Sequence, residues 1–193
     1  MLIDCGGRNQ RRKLDSELRE AGCEPGELKW VFLTHGDFDH CGNAAWLKEN
    51  YGTQIALSEA DVGMIRARDM SCGRKGIPAV ARPFLPWIYA FKPEDQFEPD
   101  LLLTENTNLQ RCGIDAAVIE LPGHTKGSMA FLTAAGDLFC GDLLVSRRGV
   151  VLNSILDDEA AARASVEKIR GLACQTVYPG HGRPFERKDI RIT

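Results

Sequence analysis

Apolar residues along this chain fall in short runs broken by glycine, proline and charge, and their spacing alternates between strand-like and helix-like. The first run, Met1-Leu2-Ile3, leads through Asp4-Cys5 into a Gly6-Gly7 turn and reads as a strand. Gln10 to Ala21 sets Leu14 and Leu18 on one side of a charged segment stopped by Gly22, which predicts an amphipathic helix. Lys29 to Leu33, with its run Trp30-Val31-Phe32-Leu33, predicts a buried strand. Asn43 to Tyr51 predicts a helix ended by Gly52, and Gln54 to Leu57 a further strand. Ser58 reads as the N-cap of a helix over Glu59 to Arg68, with Asp61 at its third position.

From Asp69 to Pro99 the periodicity fails. Pro78, Pro83, Pro86, Pro93 and Pro99 alternate with Phe84, Trp87, Ile88, Tyr89 and Phe91. A loop of this length inside a compact domain is usually functional or disordered, and its aromatics argue for order. The segment 69–99 is expected to form a lid or pocket wall, with the hydrophobic stretch 83–91 a dimer contact as the alternative. Beyond it the pattern is strand-rich: Asp115 to Leu121, Ser128 to Thr133 and Leu138 to Cys140, with Ala135-Gly136-Asp137 as a hairpin turn. Asp157 or Asp158 caps a helix to Arg170, closed by Gly171, and Thr176-Val177-Tyr178 is a last strand. Alternating strands and helices predict a layered α/β architecture, taken here as one domain over 1–193.

Composition narrows this modestly. The chain has 193 residues, 44% of them hydrophobic, and a net charge of −3. With no long basic block, nucleic acid is not an expected partner, and the cluster Arg8, Arg11, Arg12 and Lys13 reads as the solvated face of the first helix. No apolar stretch is long enough for a membrane span, and no membrane partner is expected. The seven cysteines are odd in number, form no C-x-x-C, and lie partly inside apolar runs, as Cys5 and Cys140 do. They read as reduced thiols of a cytoplasmic protein.

Chemistry enters at Thr34-His35-Gly36-Asp37-Phe38-Asp39-His40-Cys41-Gly42, where two histidines and two aspartates fall within six positions at a strand-to-helix junction. Imidazole with carboxylate suits zinc, iron or manganese better than magnesium or calcium. Cys41 lies beside the cluster, but His40 is the better ligand. The other two of the chain's four histidines lie in Leu121-Pro122-Gly123-His124-Thr125-Lys126-Gly127 and Tyr178-Pro179-Gly180-His181-Gly182. Both follow a strand and a proline–glycine turn, which predicts loops at a sheet edge. Asp142, after Phe139-Cys140-Gly141, is expected at a strand end in the same way. Alone it would read as a turn residue; beside four histidines it is the natural ligand between two metals.

These motifs resemble those of the metallo-β-lactamase-fold hydrolase superfamily, in particular its small glyoxalase II-like and lactonase-like bacterial branch. The resemblance runs from Leu2-Ile3-Asp4 to Tyr178-Pro179-Gly180-His181-Gly182. It implies a four-layered αββα sandwich with a dinuclear site at one edge. His35, Asp37 and His124 would bind the first metal, Asp39, His40 and His181 the second, and Asp142 both. Asp4 would support the ligand loops from behind. Two divalent ions are implied, with zinc preferred and iron or manganese as alternatives.

Two departures stand out. The family motif His-x-His-x-Asp-His has Asp37 at its second histidine. A bridging hydroxide with Asp37, Asp39 and Asp142 then balances the charge of two divalent ions, so the site is neutral where the histidine version stays positive. The strands that family members usually carry ahead of the Leu-Ile-Asp segment are not in this sequence, and the fold is expected to lack them in one sheet. The resemblance implies hydrolysis of a small-molecule ester, thioester or lactone by a metal-bound hydroxide, with Asp39 orienting the nucleophile. Ser128 has no spare histidine to activate it. Arg147 and Arg148 read as a solvated loop, with a substrate anion site as the alternative. The competing readings are an iron-dependent redox enzyme of the sulfur dioxygenase kind and a truncated, non-catalytic metal-binding relative. A homodimer is compatible with the 83–91 stretch.

Overall fold

The computed structural model describes residues 1–71, 80, 84 and 91–192. Most of the stretch read as a lid, and the dimer contact within it apart from Phe84 and Phe91, lies outside the described residues. The chain divides into two compact units, Met1–Cys72 with Ile77–Leu102, and Leu103–Thr193 with Gly73–Gly76.

The first unit is built on a sheet in the order β1 (Leu2–Ile3), β2 (Trp30–Phe32), β3 (Gln54–Ser58) and β4 (Leu101–Leu103). β1, β2 and β3 run parallel, with Ile3 opposite Phe32 and Phe32 opposite Ala56. Parallel strands covered on both faces need near-continuous apolar runs. Val31, Phe32, Ile55, Ala56 and Leu57 accordingly exclude solvent, each large side chain contributing about 1.5–3 kcal/mol of burial. The connecting helices are α1 (Arg11–Glu20), α2 (Phe38–Cys41), α3 (Ala44–Tyr51) and α4 (Glu59–Ala67). α1 buries Leu18 and packs Leu14 on the core, and α3 ends at Gly52 in the left-handed conformation. The Phe38 and Phe91 rings stack at 4.1 Å in this core. The short helix α2 has no counterpart in the sequence pattern: four residues are too few to show a period, and three of them are buried.

The second unit holds a sheet in the order β10 (Phe185–Glu186), β9 (Thr176–Gly182), β7 (Asp137–Ser146), β6 (Met129–Thr133), β5 (Ala116–Glu120), with β8 (Val151–Leu152) also paired to β7. α5 (Glu159–Gly171) packs Ala162, Val166 and Ile169 into its core. Asp158 caps it by accepting from Ala161 N at 3.1 Å. Two strands run further than the sequence predicts. β7 continues through Gly141 and Asp142 to Ser146, and β9 continues through Pro179 and Gly180 to His181 and Gly182. Asp142 is therefore not at a strand end, and His181 is not on a loop. The two strands pair in parallel with register shifts between Phe139 and Gly141 and between Gly141 and Val145. Those irregularities absorb the glycines and proline that read as breakers, and such bulges re-aim side chains.

Six cysteines are free thiols, while Cys72 lies outside the described residues. No helix among the described residues is long and apolar enough to cross a membrane.

Candidate metal centre

In the first unit, β2 delivers the chain into Thr34-His35-Gly36-Asp37, and α2 then presents Asp39 and His40 on its single turn, with Asp37 as N-cap. His35, Asp37 and His40 are buried and Asp39 is half-buried. His35 Nε2 lies 3.5 Å from Asp37 Oδ2. The imidazoles of His35 and His40 are 4.1 Å apart, centre to centre. Ligand atoms of Asp39 and His40 lie within 4.8 Å of one another.

This crowding is held by Asp4, at the end of β1. Its backbone is left-handed, with φ of 55°, a conformation aspartate adopts more readily than most residues. Asp4 Oδ1 accepts from Thr34 N at 2.8 Å, and Oδ2 accepts from Thr34 Oγ1 and from His40 Nδ1, each at 2.8 Å. Asn43, fully buried, donates to Cys5 O at 2.8 Å and Gly7 O at 2.9 Å, while Arg11 Nε donates to its oxygen at 3.1 Å. Cys5 N donates to His40 O at 2.8 Å. Gly42 cannot be otherwise: a Cβ there would stand 2.5 Å from Phe38 O and 2.7 Å from Arg8 N. Cys41 turns its sulfur toward Gly36 O at 3.5 Å, and burial pushes its thiol well above the ordinary range, so it is a proton-bearing prop.

In the second unit, His124 and Asp142 are buried and the His181 side chain keeps 32% exposure, so His181 is the accessible member. Asp142 Oδ2 lies 3.3 Å from His181 Nε2 and 4.0 Å from His124 Nε2. The segment between β8 and α5 braces both residues. Ile155 O accepts from His124 Nδ1 at 2.7 Å, and Asn153 Nδ2 donates to Asp142 O at 2.9 Å. Asp157 N donates to Gly123 O and His124 O, which seats the His124 loop on the start of α5. Gly123 is required there: with φ of 139°, a Cβ would stand 2.4 Å from Ala162 Cα. Ser128 is buried and shares a 2.8 Å hydrogen bond with Thr125 Oγ1.

The proton positions follow from these bonds. The single Thr34 hydroxyl proton goes to Asp4, so the 2.9 Å contact between Thr34 Oγ1 and His35 Nδ1 takes its proton from the ring. His40 Nδ1 donates to the Asp4 carboxylate, and His124 Nδ1 donates to a carbonyl, which can only accept. With Nδ1 engaged in this way, each of the three rings directs Nε2 away from its brace, and Nε2 lies 3.5 Å from Asp37 Oδ2 in His35 and 4.0 Å from Asp142 Oδ2 in His124. A divalent cation is a group that an imidazole nitrogen and a carboxylate oxygen can share. Tying off one imidazole nitrogen is the usual way a protein orients a metal-binding histidine. The donor set of each unit therefore fits a divalent cation on its own chemistry.

All seven residues singled out in the sequence stand in one or other of these clusters. Sequence reasoning gave no role to Thr34, Asn43, Asn153 and Ile155. Thr34 sits inside the motif and was legible as a neighbour, whereas Asn153 and the Ile155 carbonyl carry no local signal.

Residues 1–181 match the family model described as the Metallo-beta-lactamase superfamily. The chain is 32% identical over 146 residues to Hydroxyacylglutathione hydrolase GloC of Haemophilus influenzae, spanning 74% of this chain and 60% of that protein. It is 26% identical over 163 residues to Beta-lactamase-like protein 2 homolog of Drosophila melanogaster, spanning 84% of this chain and 48% of that one. The chain thus covers less than two thirds of the length of either. Among solved structures, TTHA1623 in a di-iron-bound form superposes with a TM-score of 0.72 at 27% identity, over 96% of this chain and 83% of that one. The α/β class and the metallo-β-lactamase fold expected from the motifs are those of these neighbours.

Proposed function

The chain belongs to the metallo-beta-lactamase superfamily of metallo-hydrolases, and on that footing we propose that it cleaves a small ester, thioester or lactone at a dinuclear metal centre. In this reading the ligands are the seven residues that the family motifs imply: His35, Asp37 and His124 would hold one ion, Asp39, His40 and His181 the other, and Asp142 both. Zinc is the preferred ion. The observation that carries the reading is the shared engagement of Nδ1 in His35, His40 and His124, by Thr34 Oγ1, Asp4 Oδ2 and Ile155 O respectively.

Divalent ions so held supply Lewis acidity, bringing the pKa of water toward neutrality and polarising the attacked carbonyl. The protein's own part is to hold and orient. Asp4 fixes the rings of His35, through Thr34, and of His40. Ile155 fixes His124, and Asn153 fixes Asp142. Asp39, half-buried on α2, is the catalytic residue of this proposal: its carboxylate would accept a hydrogen bond from the nucleophile and keep it aligned. The name of the Haemophilus relative, a hydroxyacylglutathione hydrolase, favours a thioester within this substrate class.

The test is elemental analysis of the purified protein and its Asp37→His variant, followed by turnover on an ester, thioester and lactone panel. Two zinc ions per chain with turnover on the panel is the expected result. Absence of metal from both proteins overturns the proposal. A second reading, iron-dependent redox chemistry at the same residues, draws on the di-iron form of TTHA1623 and on the three carboxylates of the set. Predominant iron with oxygen consumption would replace hydrolysis by that reading.

A further inference from the structure

Asp61 is the third residue of α4, where a carboxylate ordinarily either faces solvent or folds back on the backbone N–H of its own N-cap. Its Oδ2 accepts from Gly36 N at 2.9 Å, a contact outside the helix. Asp61 is only 1% exposed, while Glu59 and Ala60 beside it stay in solvent. Burying a carboxylate is costly unless strong hydrogen bonds offset it, and the N-terminal dipole of α4 supplies part of that offset. The cost is incurred at the first of the two peptides that join His35 to Asp37.

The loop is shaped to receive it. A Cβ on Gly36 would lie 3.2 Å from both Asp61 Cβ and Asp61 O, and 3.4 Å from Met64 Sδ. Glycine between the two ligand candidates therefore lets this peptide press directly on α4. Its carbonyl is engaged from the other side by Cys41 Sγ at 3.5 Å. Thr34 fixes the His35 ring, but the peptide after His35 decides where Asp37 starts.

We propose that Asp61 is a positioning residue for the metal centre, setting the separation of His35 and Asp37 by gripping the Gly36 N–H. The inference rests on the metal-centre reading above. It assigns to α4, which contributes no ligand, control over the first ion.

The experiment uses the full chain as wild type, Asp61→Ala and Asp61→Asn, each stripped of metal and reloaded with cobalt(II) or zinc. Zinc affinity is measured by competition with a chromophoric chelator, and coordination geometry by the cobalt d–d spectrum. Losing a residue that orients a ligand typically weakens metal binding by about 10–100-fold. That loss is expected for Asp61→Ala, together with an altered cobalt spectrum. Asp61→Asn keeps an acceptor oxygen for Gly36 N and should retain the wild-type spectrum and an affinity close to wild type. Wild-type affinity and spectrum in Asp61→Ala overturn the inference. So does an Asp61→Asn that falls as far as Asp61→Ala, because the charge and not the hydrogen bond would then be responsible. Amide exchange at Gly36 covers a failure of Asp61→Ala to fold: it should be slow in wild type and in Asp61→Asn, and fast exchange in wild type overturns the proposal. A wild type that binds neither ion overturns the metal-centre reading along with this one. Binding by wild type that is indifferent to Asp61→Ala overturns this one alone.

Discussion

Replacing Asp4 by asparagine should turn both candidate ligand histidines of the first unit the wrong way round. Asp4 Oδ2 receives two protons, one from the Thr34 hydroxyl and one from His40 Nδ1. An asparagine that keeps its oxygen on Thr34 N places NH2 at the Oδ2 position, where it offers two protons instead. His40 Nδ1 must then accept, and its proton moves to Nε2. Thr34 Oγ1 must also accept, which frees its own proton for His35 Nδ1 and moves the His35 proton to Nε2 as well. The opposite amide orientation sets NH2 against Thr34 N–H. Restoring each metal-competent tautomer forfeits a neutral hydrogen bond, worth about 0.5–1.5 kcal/mol, or about 1–3 kcal/mol for the pair. That is about one to two orders of magnitude in affinity spread over the bound ions. The lower half of the range is expected, because the Asp4 side chain keeps 17% exposure. Asp4→Gly is the control. Glycine suits the φ of 55°, removes the carboxylate, and lets both rings keep Nδ1–H on water. Zinc competition titrations should therefore rank wild type above Asp4→Gly and Asp4→Gly above Asp4→Asn, although glycine deletes more atoms. Nitrogen-detected NMR of the metal-free proteins should show Nδ1–H in wild type and Nε2–H in Asp4→Asn. Asp4→Asn binding as well as wild type, or better than Asp4→Gly, would refute the tautomer reasoning.

Other consequences are equally open to measurement. Gly123→Ala puts a methyl group 2.4 Å from the backbone of Ala162 at a φ of 139°. Overpacking and backbone strain together should cost about 2–4 kcal/mol in urea unfolding, and His124 should lose its seat with them. Unfolding like wild type would show that the loop yields freely. Burial pushes the Cys140 thiol from 9.0 up to about 12, so the folded state keeps its proton where the unfolded chain has lost it. Stability should then fall as pH rises above about 9, by about 1.4 kcal/mol per pH unit for this group. Cys140→Ala should flatten that slope, and an unchanged slope would remove Cys140 from the account.

The elements legible in the sequence were those with room to show a period. α1, α3, α4 and α5 and the strands β2, β3, β5 and β6 fall within a residue or two of where the pattern puts them. What escaped was short or interrupted. α2 has a single turn, and β4, β8 and β10 have two or three residues each. Pro179, Gly180 and Gly141 look like breakers but are carried inside β9 and β7 by shifts of register between the two strands. Asp61 illustrates the same limit at one side chain. As the third residue of a helix it reads as part of a cap, and only the approach of a loop from another part of the chain diverts it to Gly36.

The candidate site divides along the same line. The types and order of the candidate ligands could be read from the chain, because histidine and carboxylate are metal-binding groups and glycine flanks them where backbones crowd. Which nitrogen of each imidazole carries the proton was decided only by tertiary structure. That choice depends on the carboxylate at position 4, which takes the protons of Thr34 and His40, and on the carbonyl at position 155, each brought to its partner by packing. Hydrogen bonds reach only about 3 Å, and no spacing along the chain records which distant atoms will come within that range.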